Sequence, residues 1–198
     1  METDLIPALE DSFLVVVDVQ PGLLRAYPPD RARCAAEGAV FAVAALGALG
    51  VPAVLLALDP DKLGPVHPDV VSAAPAGTPL VAKAAYDATR EPAFLPACAA
   101  LGRRVALVAG VEAHVCVLHT ALGLRARGYR VHVLADAVAS REPVDEAVGR
   151  RLLEAGGVTP LTVETLLFAW LGSGRHPRFP AVLPLLRERV RRSRPPAP

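Results

Sequence analysis

Cysteine is scarce in this chain of 198 residues: there are three, Cys34, Cys98 and Cys116. An odd number at wide spacing excludes a disulfide framework, and the lack of any CxxC pair excludes the common zinc and redox motifs. With no signal-peptide pattern at its acidic start, the chain is expected in a reducing, cytoplasmic setting. Charge of one sign is not in excess either. Twenty-one basic and 20 acidic residues leave a net charge of +1, which offers nothing global to a polyanion. The local exception is Arg187, Arg189, Arg191, Arg192 and Arg194 near the C-terminus. No interleaved aromatic or reading motif accompanies them, so they read as a solvated helix end and tail rather than a nucleic-acid site. No GxSxG, HExxH or phosphate-loop pattern occurs. There is no internal repeat and no sign of a second domain. Only one stretch, from Gly38 to Leu58, is long and uncharged enough to raise a membrane span. Gly47, Gly50 and Pro52 interrupt it, and it reads instead as a helix stopped at Gly50 followed by a buried strand.

What is present is a regular alternation. Phe13-Leu14-Val15-Val16-Val17 is a β-branched apolar run ending at Asp18, hence a central strand. A helix follows, with Asp30 as its expected cap and Gly50 as its stop. A second strand ends at Asp59, and residues 60–79, rich in proline and glycine, read as loop. A short third strand ends at Lys83, and a helix is expected over 93–101. Val105-Ala106-Leu107-Val108-Ala109 and residues 130–134 are two further strands around a helix, the second of them ending at Asp136. A helix over 143–155, an edge strand over 159–162 and helices over 164–171 and 181–190 complete the chain. Strands alternating with helices predict one α/β domain spanning 1–198. Its architecture is three-layer α/β/α, a doubly wound, mainly parallel, six-stranded sheet of Rossmann-like type. Residues 1–11 and 192–198 are expected to fray.

The stretch from Arg104 to Ser140 organises the rest, with Cys116 at its centre. It is a βαβ unit with the cysteine where strand passes into helix. Helix N-termini carry partial positive charge, so a thiol there is expected to ionise more easily. In open parallel sheets ligands bind at the carboxyl ends of the strands. Asp18, Asp59, Lys83, the turn from Gly110 to Cys116, and Asp136 are therefore the candidates. Asp59 and Asp136 read as turn formers. A nucleophilic thiol needs a base for its proton and a cation for its charge, and Asp18 and Lys83 are suited to supply both.

These residues carry a resemblance. The chain resembles the isochorismatase-like cysteine hydrolases, a superfamily of nicotinamidases, carbamoylsarcosine amidohydrolases and isochorismatases, over about Phe13 to Glu188. The matching motifs are Phe13-Leu14-Val15-Val16-Val17-Asp18-Val19-Gln20, Pro79-Leu80-Val81-Ala82-Lys83 and Gly110-Val111-Glu112-Ala113-His114-Val115-Cys116-Val117, continued by residues 127–141. The Gly110-Val111-Glu112-Ala113 turn, Leu63-Gly64-Pro65 with Pro68, and His176-Pro177-Arg178-Phe179 resemble the isochorismatase-domain-containing branch most. The resemblance implies Cys116 as nucleophile, Asp18 as proton acceptor and donor, and Lys83 as the cation between them. It also implies a cis peptide at Val111–Glu112 that turns backbone N–H groups toward an oxyanion, with Val111, Glu112 and Ala113 shaping the site. Gln20, His114 and Tyr86 are candidate substrate contacts, and His114 is not expected to be the base.

Nicotinamidases resemble one another in a metal site of one aspartate and two histidines after the second strand. Here residues 59–67 hold a single histidine, His67, at the wrong spacing, so no metal and no cofactor are expected. The implied function is metal-independent hydrolysis of a small-molecule, non-peptide C–N bond of amide type through a Cys116 thioester. Two rivals stand beside it: vinyl-ether cleavage with Asp18 as acid, and a catalytically idle interaction protein. The expected partners are a small-molecule substrate and further copies of the chain as a homo-oligomer, without nucleic acid or membrane.

Overall fold

The strands of this chain are almost wholly apolar, and strands buried on both faces need helices over both faces. The computed structural model, which describes residues 5–193, has that arrangement. Six parallel strands form one sheet: β1 (Ser12–Val17), β2 (Ala53–Leu58), β3 (Leu80–Lys83), β4 (Val105–Val111), β5 (Arg130–Ala139) and β6 (Thr159–Leu161). Their order is β3-β2-β1-β4-β5-β6. The helices are α1 (Pro21–Leu24), α2 (Pro29–Ala48), α3 (Pro60–Leu63), α4 (Pro68–Ala73), α5 (Phe94–Ala100), α6 (Cys116–Ala126), α7 (Pro143–Ala155), α8 (Val163–Leu171) and α9 (Phe179–Ser193).

Side chains alternate across β1. Leu14 and Val16 enter a core with α2, α8 and α9, whereas Phe13, Val15 and Val17 enter a second core with α5, α6 and Leu153 of α7. The chain winds outward from β1 to β3, then returns to lay β4 on the other side of β1. That reversal opens a crevice between the carboxyl ends of β1 and β4.

Several local expectations are corrected. The stretch 60–79 is not all loop: prolines at the first helical position start α3 and α4. Asp30 lies inside the first turn of α2, and Pro28 takes the cap position. β5 does not stop near Asp136 but continues to Ala139, after a register shift against β4 between Val108 and Gly110. Asp136 therefore sits within a strand. It accepts from the Val163 N–H and pairs with Arg189 at 2.9 Å. Residues 7–11 are tied down rather than frayed. Trp170 Nε1 donates to the Pro7 carbonyl, and Arg103 donates to that of Leu9. The expected fraying of 1–4 and 194–198 lies outside the described residues. Among the described residues no helix is long and apolar enough to cross a membrane.

Gly110 shows how close the crevice packs. Its φ is +134°, and a Cβ there would sit 2.1 Å from the Val17 carbonyl oxygen. Neither atom can move without breaking the β1–β4 ladder, where Val17 pairs with Gly110. Gly110→Ala should therefore destabilise the fold by about 3 kcal/mol or more, combining overpacking with backbone strain. The midpoint of guanidinium unfolding measures this, and an unchanged midpoint would contradict the packing described.

Candidate active site

Three chain segments meet at that crevice. Asp18 follows β1, Lys83 is the last residue of β3, and Cys116 is the first residue of α6. Lys83 Nζ lies 2.6 Å from Asp18 Oδ2, with both side chains fully buried. Cys116 is 2% exposed, and its thiol is close enough to both to feel their charges. Residues from positions 18, 83 and 116 thus come together away from bulk water.

The backbone is unusual at the same place. Asp18, Asp59 and Glu112 adopt positive φ values of 54°, 38° and 60°. They follow β1, β2 and β4, and each such conformation costs a non-glycine residue about 1–3 kcal/mol. Left-handed residues let the chain leave the sheet abruptly, which aims Asp18 into the crevice instead of onward along the strand. Gln20 holds this exit in place. Its Nε2 donates to the Leu58 and Gly64 carbonyls, and its Oε1 accepts from the Leu58 N–H. Fully buried and fully used, Gln20 is a clamp between β1 and β2 and not a substrate contact.

The turn from Val111 to Cys116 departs from expectation in one respect. No peptide bond among the described residues is cis. The reversal is made by Glu112 at positive φ, so Val111–Glu112 keeps the trans form, which avoids the roughly 2.5–4 kcal/mol of a non-proline cis bond. The Glu112 N–H donates to the Tyr27 hydroxyl, and the Ala113 N–H donates to the Ala139 carbonyl. Ala113 therefore has no donor left for an oxyanion. The Val115 and Val117 N–H groups donate to the Glu112 carbonyl. The His114 nitrogen is covered by α7, where a Cβ on Gly149 would come within 2.7 Å of it. The Cys116 N–H opens α6 and is the remaining candidate donor of this turn.

His114 and Tyr86 stand apart from the trio. His114 Nδ1 is 3.0 Å from Ser140 Oγ and 3.6 Å from Glu112 Oε2, and Nε2 is 3.8 Å from Asp145. The ring is thus engaged with the β5–α7 junction. Tyr86 is 58% exposed, its side chain toward solvent, and only its carbonyl is engaged in the site's framework. Glu112 shapes the turn. Its Oε1 lies 3.2 Å from Arg141 Nε, while Oε2 is buried without a hydrogen-bond partner.

Electrostatics run against the expected easily ionised thiol. Burial pushes the Cys116 thiol up to about 12; the Asp18 charge adds to this and Lys83 opposes it. Burial also holds the Asp18 carboxyl above the ordinary carboxylate range, against the pull of Lys83, the thiol and the Leu58 N–H. A resting thiol beside a carboxylate of raised basicity follows. Losing the thiol proton to water would leave a net negative charge in a buried site. Passing it to Asp18 keeps the trio at net zero, so burial opposes ionisation to solvent but not internal transfer. The 2.6 Å contact with Lys83 lacks hydrogen-bond alignment, and both Asp18 oxygens keep lone pairs for a proton.

No group of three or more His, Cys, Asp or Glu side chains among the described residues is arranged to hold a metal ion. In the segment compared with the nicotinamidase metal site, His67 Nδ1 accepts from the Asp69 N–H and caps α4. Three of the C-terminal arginines are engaged by carboxylates: Arg189 pairs with Asp136 and stacks over Phe41, and Arg191 and Arg192 pair with Glu188. Arg194 lies outside the described residues.

Known proteins are similar to this chain in sequence and in fold. Isochorismatase domain-containing protein 2A of Mus musculus is 31% identical over 186 residues, covering 91% of this chain and 85% of its own length. A solved structure described as MAR1 ribonuclease from Caenorhabditis elegans is 27% identical with a TM-score of 0.78, covering 92% of each chain. The YcaC gene product of Escherichia coli, described as an octameric hydrolase of unknown specificity, superposes with a TM-score of 0.81 at 21% identity. That match covers 94% of this chain and 95% of that one. The family model for the isochorismatase domain matches residues 12–165, from β1 into α8 and across Asp18, Lys83 and Cys116. The chain belongs to the isochorismatase family.

Proposed function

We propose that this protein is a metal-independent cysteine hydrolase that cleaves the C–N bond of a small, uncharged amide-type substrate. The observation that carries the reading is the buried, charge-neutral trio of Asp18, Lys83 and Cys116. Asp18 takes the Cys116 proton, and the thiolate forms as it attacks the substrate carbonyl. The Cys116 N–H at the start of α6 stabilises the oxyanion, where the helix N-terminus favours negative charge. Lys83 holds the alternating negative charge on Asp18 and sulfur. Asp18 then protonates the leaving amine, and water hydrolyses the thioester with Asp18 again as base. The burial of all three side chains favours small substrates. Assembly into a homo-oligomer belongs to the same proposal. Val144, Val148 and Leu152 support it: they lie one turn apart on α7, facing solvent.

The test is a panel of small primary amides and ureas, read by release of ammonia or amine, with intact mass on rapid quenching to catch an acyl group on Cys116. Turnover with a trapped thioester is expected. Turnover of no member, or an acyl group elsewhere, overturns the reading.

The pH profile carries a further expectation. Asp18 works as a base only when ionised, and its carboxyl is raised by burial. Activity should therefore fall as pH drops through that raised value, so the acid limb of kcat/KM lies above the ordinary carboxylate range of about 3.9. A limb at or below that range would show that Asp18 is not the base.

A further inference from the structure

Lys83 meets Asp18 at 2.6 Å, and the fold fixes its ammonium from a second side. The loop over 84–91 does part of this. The Lys83 Nζ donates to the Ala85 carbonyl at 3.2 Å, and the Glu91 carboxylate accepts from the N–H groups of Ala84 and Ala85, both at 2.9 Å. The loop is in turn docked on α6. Thr120, fully buried, donates through Oγ1 to the Tyr86 carbonyl at 3.2 Å and accepts from the Ala88 N–H at 3.1 Å. One turn on, Gly123 lets the loop nest against the helix, since a Cβ there would lie 2.5 Å from Asp87 Oδ1. Thr120 is four residues after Cys116, on the same face of the same helix. One rigid element therefore holds the sulfur directly and the ammonium through a short chain of hydrogen bonds.

We infer that Thr120 is a positioning residue that sets the distance between Lys83 and the Asp18–Cys116 pair by docking the 84–88 backbone onto α6. The inference rests on the cysteine-hydrolase reading for its consequence in turnover, but not for its effect on the thiol. Asp18 faces Lys83 from β3, Cys116 from α6 and the Leu58 N–H from β2, and Lys83 also feels Glu91 from the loop. Loosening the loop withdraws Lys83 from this set, so Asp18 holds its proton to higher pH.

Thr120→Val keeps the shape and removes both hydrogen bonds, whereas Thr120→Ser keeps the hydroxyl. On an amide found by the panel, Thr120→Val should lose about tenfold or more in kcat with KM little changed. Its acid limb should move up by about half a pH unit or more, and Thr120→Ser should recover most of both. A second readout needs no substrate: the rate of Cys116 alkylation by iodoacetamide against pH, followed by intact mass on the Cys34→Ser, Cys98→Ala background. Its profile should shift in Thr120→Val and return in Thr120→Ser. A folded Thr120→Val with unshifted kinetics and alkylation overturns the inference, as does equal loss in both variants without any pH shift. If Thr120→Val does not fold, Thr120→Ser alone decides: native-like profiles sustain the inference, and a shift in it overturns the hydroxyl's role. A panel without turnover but with shifted alkylation would sink the hydrolase reading while leaving the positioning role standing.

Discussion

Replacing Cys116 with alanine should abolish amide turnover, lowering kcat by about four orders of magnitude or more, because the covalent route disappears with the sulfur. The fold should survive. Cys116 is small and buried, so the missing sulfur leaves a void costing about 1 kcal/mol. Loss of acylation by intact mass, retained thermal unfolding and loss of amine release are the three measurements. A variant that keeps more than a tenth of the activity contradicts the thioester route. One version of that outcome is informative in itself. The raised basicity of Asp18 also suits protonation of a vinyl ether, which needs no thiol. Cys116→Ala that still cleaves isochorismate, while Asp18→Asn does not, would move the chemistry from sulfur to carboxyl.

Lys83→Met should have the second largest effect, on stability as well as activity. Asp18 and Lys83 are both fully buried and in contact. Removing the ammonium strands a carboxylate in an apolar surround, at a cost of about 3–5 kcal/mol if it stays ionised. It escapes part of that cost by taking up a proton, and its pKa rises further above the unfolded value. A carboxyl raised in the folded state is neutral in both states at low pH, and its destabilising effect grows as pH rises from the unfolded value to the raised one, above which it levels off. The deficit of Lys83→Met should therefore be small near pH 4 and grow toward neutrality. Asp18→Asn in the same chain should recover most of it, since a neutral amide replaces the stranded charge. Denaturant melts at pH 4.5 and 7.5 on both variants measure this. A pH-independent deficit, or no recovery in the double variant, would show that Lys83 matters for packing and not for charge. Activity should be lost in both variants, because the base is neutralised in one and missing in the other.

Much of the architecture was legible because it depends on short-range patterning. Strands such as Phe13–Val17 announce themselves by unbroken β-branched runs, and helix α7 by Pro143 at its start and glycine at its end. The parallel sheet then follows from alternation alone. Patterning was poor where small helices begin at prolines: α3 and α4 lie in a stretch whose composition reads as loop, and their formation depends on packing against the β1–β2 exit. The extension of β5 to Ala139 was hidden for a similar reason. Its last residues pair with β4 only after a register shift, and no local signal encodes a shift set by a neighbouring strand.

The candidate site was legible to the same degree. Asp18, Lys83 and Cys116 stand at strand and helix ends, and ends of elements are visible in sequence. Gln20 was misread because a buried amide and an exposed one look alike until its partners, Leu58 and Gly64, are brought beside it. Thr120 was overlooked, although its place one helical turn after Cys116 was a usable signal.

The sequence by itself determined which residues are candidates to carry chemistry and at which element ends they stand, because side-chain identity and local periodicity need no neighbours. Only the tertiary structure decided the state of that chemistry. Whether the sulfur is a thiolate or a thiol, whether a backbone N–H is free or spent, and how far an ammonium lies from a carboxylate all depend on burial and long-range contact. Those quantities arise when segments some thirty to a hundred residues apart exclude water together, and no single segment contains them.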